Sequence, residues 1–148
     1  MRHLTICALL VTGCMIPNNQ KKLSDSLRQY NIAMRWGAVE QAAEHVDPAK
    51  RNELLVRPEE FGALQISGYE VGSIKVRGKS EAVAIVRIDW YLNNSLSLHT
   101  SFVEQSWKLK GGKWLITAQR LVRGAPYPLL IDSPERRSFR AKETWPEA

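Results

Sequence analysis

The feature that most constrains this chain is a change of hydrophobic period at Leu64. From there to residue 122, four segments at about 64–77, 81–92, 96–109 and 113–122 follow the two-residue period of a strand. Three short turn signals separate them: Arg77-Gly78-Lys79-Ser80, Asn93-Asn94-Ser95 and Gly111-Gly112. Such turns can join only antiparallel neighbours, because a parallel return needs a crossover of about a dozen residues or more. The chain therefore predicts a four-stranded antiparallel meander. Its 148 residues are too few for a barrel enzyme of about 250 residues or a full dinucleotide-binding fold.

The preceding segment has a helical period. Leu23, Leu27, Tyr30 and Met34 step along one face, with Ser24-Asp25-Ser26 as N-cap chemistry. The helix is expected to run to about Val46, and Gly37 marks either a kink or a break into two helices. Asp47-Pro48 opens a second helix over about 48–56, because Pro suits the first helical position. Pro58 ends it, and a turn through Glu59–Phe61 follows. The expected class is α+β, with N-terminal helices packed on the concave face of a strongly bent meander sheet.

Side-chain alternation sets an expected register. In the second strand Ala84, Val86, Ile88 and Trp90 share the inward face, and Arg87, Asp89 and Tyr91 point outward. A three-residue loop at 93–95 puts Trp90 opposite Leu98, Ile88 opposite Thr100 and Val86 opposite Phe102, joining apolar to apolar. The third strand changes parity later, at Val103 and Trp107, so a β-bulge is expected near 103–106. The Gly111-Gly112 turn pairs Leu109 with Trp114 and Trp107 with Ile116.

This order of elements, with SLRQYNIAMRWGAVEQAAEHVDP as the first helical segment, resembles the nuclear-transport-factor-like (cystatin-like α+β) fold over about residues 23–122. It is also similar to small bacterial lipoproteins of unassigned function. The resemblance implies a helix-covered sheet; members of that fold include enzymes, binding modules and assembly parts.

The N-terminus speaks to compartment. Arg2 and His3 precede an apolar run from Leu4 to Val11, the layout of a signal peptide. Val11-Thr12-Gly13-Cys14 resembles the bacterial lipobox, which implies cleavage before Cys14 and acylation of that residue. Cys7 leaves with the signal, so the mature chain keeps one cysteine and forms no internal disulfide. Met15, where Asp would retain a Gram-negative lipoprotein in the inner membrane, leans toward the outer membrane. The expected divisions are a signal peptide (1–13), lipidated Cys14 with a tether (14–22), the folded domain (23–131) and a mobile tail (132–148). Pro126, Pro128 and Pro134 bar the segment after Arg123 from a central strand, while Tyr127 and Leu129–Ile131 pack on the domain.

Three constellations carry candidate chemistry. A cross-strand row of Tyr69, Asp89 and His99 has the Asp–His pairing of general-base catalysis, and the fold resemblance implies acid and His roles in related isomerases and cyclases. In the expected register, however, that row faces solvent, so no catalytic residue is assigned. Tyr30, Trp36, Trp90, Phe102 and Trp107 form a core or a ligand pocket between helix and sheet. Lys75, Arg77 and Lys79 at the first hairpin tip, and Lys108, Lys110 and Lys113 at the third, fall at the same end of a meander, with Glu81 as the acid among them. That edge suits anionic envelope material or an acidic protein partner. No metal-site spacing or cofactor motif occurs, and an envelope location argues against nucleic acid as a partner. The composite expectation is a membrane-anchored periplasmic lipoprotein acting as a non-enzymatic binding or assembly module. The alternative is a small-molecule binder or a pocket enzyme of isomerase or hydrolase type.

Overall fold

The computed structural model of the chain describes residues 18–56 and 62–132. The lipobox with Cys14, the turn at Glu59–Phe61 and the tail beyond Asp132 lie outside the described residues.

Helix α1 (Asn18–Arg35) buries Leu23, Leu27, Tyr30 and Met34, the stripe expected from the sequence, together with Asn31 and Ala33. It does not begin at Ser24-Asp25-Ser26; those residues lie inside it, and Asn18–Lys22, expected as tether, are helical. The Trp114 indole donates to the Asn19 carbonyl at 3.0 Å, so the sheet itself holds the first described turn of α1. Gly37 (φ +67°) ends α1 in the left-handed region open to glycine. Ala38 N–H donates to Ala33 O (2.9 Å) and Gly37 N–H to Met34 O (3.2 Å), the paired bonds of a Schellman stop. Of the two readings of Gly37, the break is the one realised: α2 (Val39–Ala43) follows. Helix α3 (Arg51–Leu55) is shorter than the expected 48–56, because residues 48–50 form a turn in which Asp47 Oδ1 accepts from Ala49 N–H at 3.2 Å.

Strands β1 (Leu64–Arg77), β2 (Glu81–Leu92), β3 (His99–Lys110) and β4 (Lys113–Gly124) form one antiparallel sheet in chain order. The class is α+β, as the period change demands. Leu109 pairs with Trp114 and Trp107 with Ile116, as expected.

The β2–β3 register differs from expectation by one residue: Trp90 pairs with His99, Ile88 with Ser101 and Val86 with Val103. The connection is the cause. Residues 93–98 are not strand, Ser97 N–H donates to Ser95 Oγ (3.2 Å), and Leu96 and Leu98 are 107% and 64% exposed. The apolar matching of Leu98 to Trp90 was therefore misleading. In the observed register β3 needs no change of parity, and its ladder with β2 is continuous rather than bulged near 103–106. The irregularities sit on the edge strands instead. Ser67 and Gly72 are the extra residues in β1 against β2, and Thr117 and Val122 those in β4 against β3.

The helices cover the inner face, where Tyr30, Trp107 and Trp114 are almost fully buried. The free edge of β4 is closed by chain rather than left open. Val46 forms a parallel bridge to Ile116, with Asp47 N–H donating to Ile116 O and Ile116 N–H to His45 O, both at 2.8 Å. Farther along, Gln119 N–H donates to Ile131 O at 2.7 Å. Tyr127 and Leu129–Ile131 are buried, as the sequence suggested. Covering an edge in this way removes a template for unwanted strand pairing.

Candidate functional site

The one-residue β2–β3 difference moves His99 and Phe102 to opposite faces from those expected, and the Gly72 bulge moves Tyr69 from Asp89 to Ile88. Asp89 stays on the outer face. Its carboxylate accepts from Thr100 Oγ1 at 2.6 Å and pairs with Arg87 at 3.1 Å. His99 lies opposite Trp90 and stacks on it, ring centroids 4.6 Å apart. Tyr69 pairs with Ile88 and lines the inner cavity. The row Tyr69–Asp89–His99 therefore does not exist as a cross-strand row, and no carboxylate of the described residues is found bonded to the imidazole.

The five aromatic pocket candidates also separate. Tyr30, Trp90 and Trp107 are buried core, with Tyr30 and Trp107 edge-to-face at 6.2 Å. Trp36 follows the end of α1 and is 74% exposed, under the Arg35 guanidinium at 5.3 Å. Phe102 lies on the outer face, and the Arg123 guanidinium sits 3.9 Å above its ring.

The interior has polar groups that the sequence reading did not anticipate. Asn31 and Gln105 exchange amide hydrogen bonds at 3.1 and 3.4 Å. Gln119 Nε2 donates to Tyr30 Oη at 3.3 Å, and its Oε1 accepts from Ile131 N–H at 3.1 Å. The Trp90 indole donates to Ser101 Oγ (2.9 Å), which donates to Ala125 O (2.6 Å). The signal was present in β3: Ser101, Val103, Gln105 and Trp107 share one parity and are all buried. Two phenols close the set. Burial pushes the Tyr30 hydroxyl far above its ordinary range despite the bond from Gln119, and burial raises Tyr127 likewise.

This polar network borders a cavity of about 10 Å³ between Tyr30, Tyr69, Gln119 and Tyr127. A single water needs roughly that much space. By contrast, an open depression of about 490 Å³ crosses the outer face between Gly72, Ile85, Phe102 and Val122, with Glu70, Arg87 and Arg123 around it. Its two sides are the bulges at Gly72 and Val122. A bulge adds local twist and bends the strand, which re-aims neighbouring side chains. Glu70, Arg87, Phe102 and Arg123 are successive register partners across all four strands.

The basic residues fall where the hairpin connectivity puts them. Leu109 N–H donates to Ser80 O at 2.8 Å, tying the first tip to β3. Lys108 pairs with Glu81 at 3.6 Å. Lys110 pairs with Asp47, an acid the sequence reading did not set against this edge. The hydrogen bond from Lys110 is the main reason the Asp47 carboxyl titrates below its usual range. Lys75, Arg77, Lys79 and Lys113 are exposed and join none of the ion pairs found among the described residues. Nearby, His45 is 9% exposed and its Nδ1 has no partner among the described residues. Burial, then the Lys113 charge, lower its pKa, against a smaller opposing effect of Glu44. No group of metal-ligating side chains occurs among the described residues, and none of their helices is long and apolar enough to cross a membrane.

Solved structures resemble this arrangement. The chain superposes on a domain of unknown function with a cystatin-like fold from Nostoc punctiforme with a TM-score of 0.58, at 15% identity, over 83% of each chain. The fold is cystatin-like. A putative Ca/calmodulin-dependent kinase II association domain from Exiguobacterium sibiricum matches with a TM-score of 0.61 at 12% identity, over 78% of this chain and 99% of that one. A SEC-C motif-containing protein from Rhodopseudomonas palustris matches with a TM-score of 0.57 at 12% identity, over 71% and 89%. No protein-family model matches the sequence, and neither does any curated protein. At these identities the likeness concerns the fold alone, and the cystatin-like fold does not carry a function with it.

Proposed function

We propose that this chain is a non-enzymatic binding or assembly module of the bacterial envelope, held to a membrane, the outer one by the Met15 signal, through lipid on Cys14. The observation that carries the non-enzymatic part is the contrast between the two sides of the sheet. An enzyme needs acid, base and polar donors converging on a space that admits a substrate. Among the described residues, the inner cavity of about 10 Å³ admits none, whereas the outer depression of about 490 Å³ is open. Phe102, with Arg123 stacked on it, gives that depression the aromatic and arginine character enriched in protein interfaces. The anchor rests on the Val11–Cys14 motif and the apolar run before it.

Two experiments test this reading. Labelled palmitate supplied to the bacteria should enter the wild-type chain and not Cys14→Ala; equal labelling of both removes the anchor. Native mass spectrometry of the purified full chain should show the polypeptide with its acyl groups and no other organic molecule. A stoichiometric small molecule released on unfolding would transfer the proposal to the pocket-binder or pocket-enzyme alternative.

A further inference from the structure

The described chain begins at the same end of the domain as the cationic hairpin tips, a coincidence that the charge pattern does not contain by itself. Helix α1 lies along the sheet with Asn19 bonded to Trp114, the residue after Lys113. Its other end, at Tyr30 and Met34, packs by Ile66 and Ile88 toward the far end of the strands. Asn18, the first described residue, therefore lies on the side of the third hairpin, and Ser80 of the first hairpin is bonded to the same region of β3. Residues 15–17 separate Cys14 from Asn18. Four Cα–Cα steps reach at most about 14 Å, under two Debye lengths of about 8 Å at physiological ionic strength. An acyl chain on Cys14 would hold the tips where an anionic surface is felt.

Among the described residues the charge at that end is net positive, even with Glu44 near His45 and Lys113. Of the six tip cations, Lys108 and Lys110 have acidic partners, and Lys75, Arg77, Lys79 and Lys113 have none among the described residues. Lys21 and Lys22 of α1 are exposed near the same end and add two further cations to it.

We infer that this basic end docks on the anionic phospholipid surface in which the Cys14 lipid is embedded, so that acyl chains and cations act as a two-part anchor. The acyl chains supply attachment, and a basic patch beside them adds electrostatic attraction to anionic lipid. Docking of this end points the far end of the strands, with exposed Leu96 and Leu98, away from the bilayer. It leaves the outer depression accessible from the side. The inference rests on the lipid-anchor reading of Cys14 for its geometry, and the test separates the two.

The full lipidated chain is placed on vesicles of phosphatidylcholine alone or mixed with phosphatidylglycerol, and amide hydrogen exchange is followed at 77–80 and 110–113. Both turns should become protected on the anionic vesicles only, and the protection should fade as salt rises. Wild-type chain bearing acyl groups whose tips stay unprotected on anionic vesicles overturns the docking and leaves the anchor standing. If Cys14 carries no acyl group, the anchor reading fails. The docking is then decided by flotation of Cys14→Ala chain with anionic vesicles: salt-sensitive binding supports it, and no binding overturns it. Changing Lys75, Arg77, Lys79, Lys108, Lys110 and Lys113 to Gln should weaken that flotation about tenfold or more, with the unfolding temperature measured to verify the fold. Tips protected by an acidic envelope polysaccharide, and not by anionic vesicles, would overturn the lipid surface in favour of the polymer.

Discussion

The two faces of β3 carry aromatic residues of similar size in different roles. Trp107 faces inward, is 1% exposed and packs edge-to-face on Tyr30. Phe102 faces outward and lies under Arg123. They differ by an odd number of positions, and with a continuous ladder to β2 an odd separation means opposite faces. The inner face also takes Ser101 and Gln105, each with a hydrogen-bond partner, while the outer face takes Thr100 and Glu104. Residue type alone did not sort the faces; parity and an available partner did.

Truncation on the two faces breaks or sharpens this comparison. The largest effect is expected for Trp107→Ala, about 3–5 kcal/mol of lost stability from the vacated core, read by denaturant unfolding. A loss below about 1 kcal/mol would mean that the inner face is loosely packed. Next comes Gly124→Ala, where β4 ends against β3. Its φ is +92°, and a Cβ there would lie 2.3 Å from the Thr100 carbonyl. The strained backbone alone costs about 1–3 kcal/mol, and a thermal midpoint equal to wild type would show that β4 does not close over Thr100.

The buried amide pair ranks third. Asn31→Ala should cost about 1–3 kcal/mol, because it leaves the Gln105 amide without its partner. Asn31→Leu combined with Gln105→Leu should recover part of that loss. Additive losses in the double-mutant cycle would show that the two amides do not act together.

A pH effect follows from His45. Its folded pKa lies below the ordinary 6.5, so the unfolded chain takes up the proton more readily. His45 therefore adds no penalty well above pH 6.5, and stability should fall as pH drops below it. Unfolding curves between pH 5 and pH 8 for wild type and His45→Gln check this, and the variant should have the shallower slope. The smallest effect is expected on the outer face, where Phe102→Ala should change stability by about 0.5–1 kcal/mol, the scale of one exposed cation–π contact. If Phe102→Ala were as damaging as Trp107→Ala, the outer face would be a second core rather than a binding surface.

Much of the sheet was legible because short turns and period-two alternation are local. β1 and β2 run over the expected residues, and the Gly111-Gly112 turn fixed the β3–β4 pairing at Leu109–Trp114. The failure came at 93–98, where Leu96 and Leu98 have strand-like spacing and yet lie in an exposed connection. Lengthening that connection moved every β3 residue by one relative to β2. The Asp89–His99 pairing was lost, and Phe102 left the expected pocket. The interior polar network was unreadable for a related reason. Asn31, Gln105 and Gln119 are ordinary surface residue types until a distant element supplies each partner.

The sequence by itself determined the order of elements, the antiparallel meander, the buried stripe of α1 and the placement of two basic hairpin tips at one end. These follow from periodicity and turn length, which act over a few residues. Tertiary structure alone decided the register of β3, the filling of the inner cavity and the outer depression between the Gly72 and Val122 bulges. It also set Asn19 of α1 beside Trp114. Each of these depends on pairing between residues far apart in sequence, where a one-residue shift exchanges the faces of a strand.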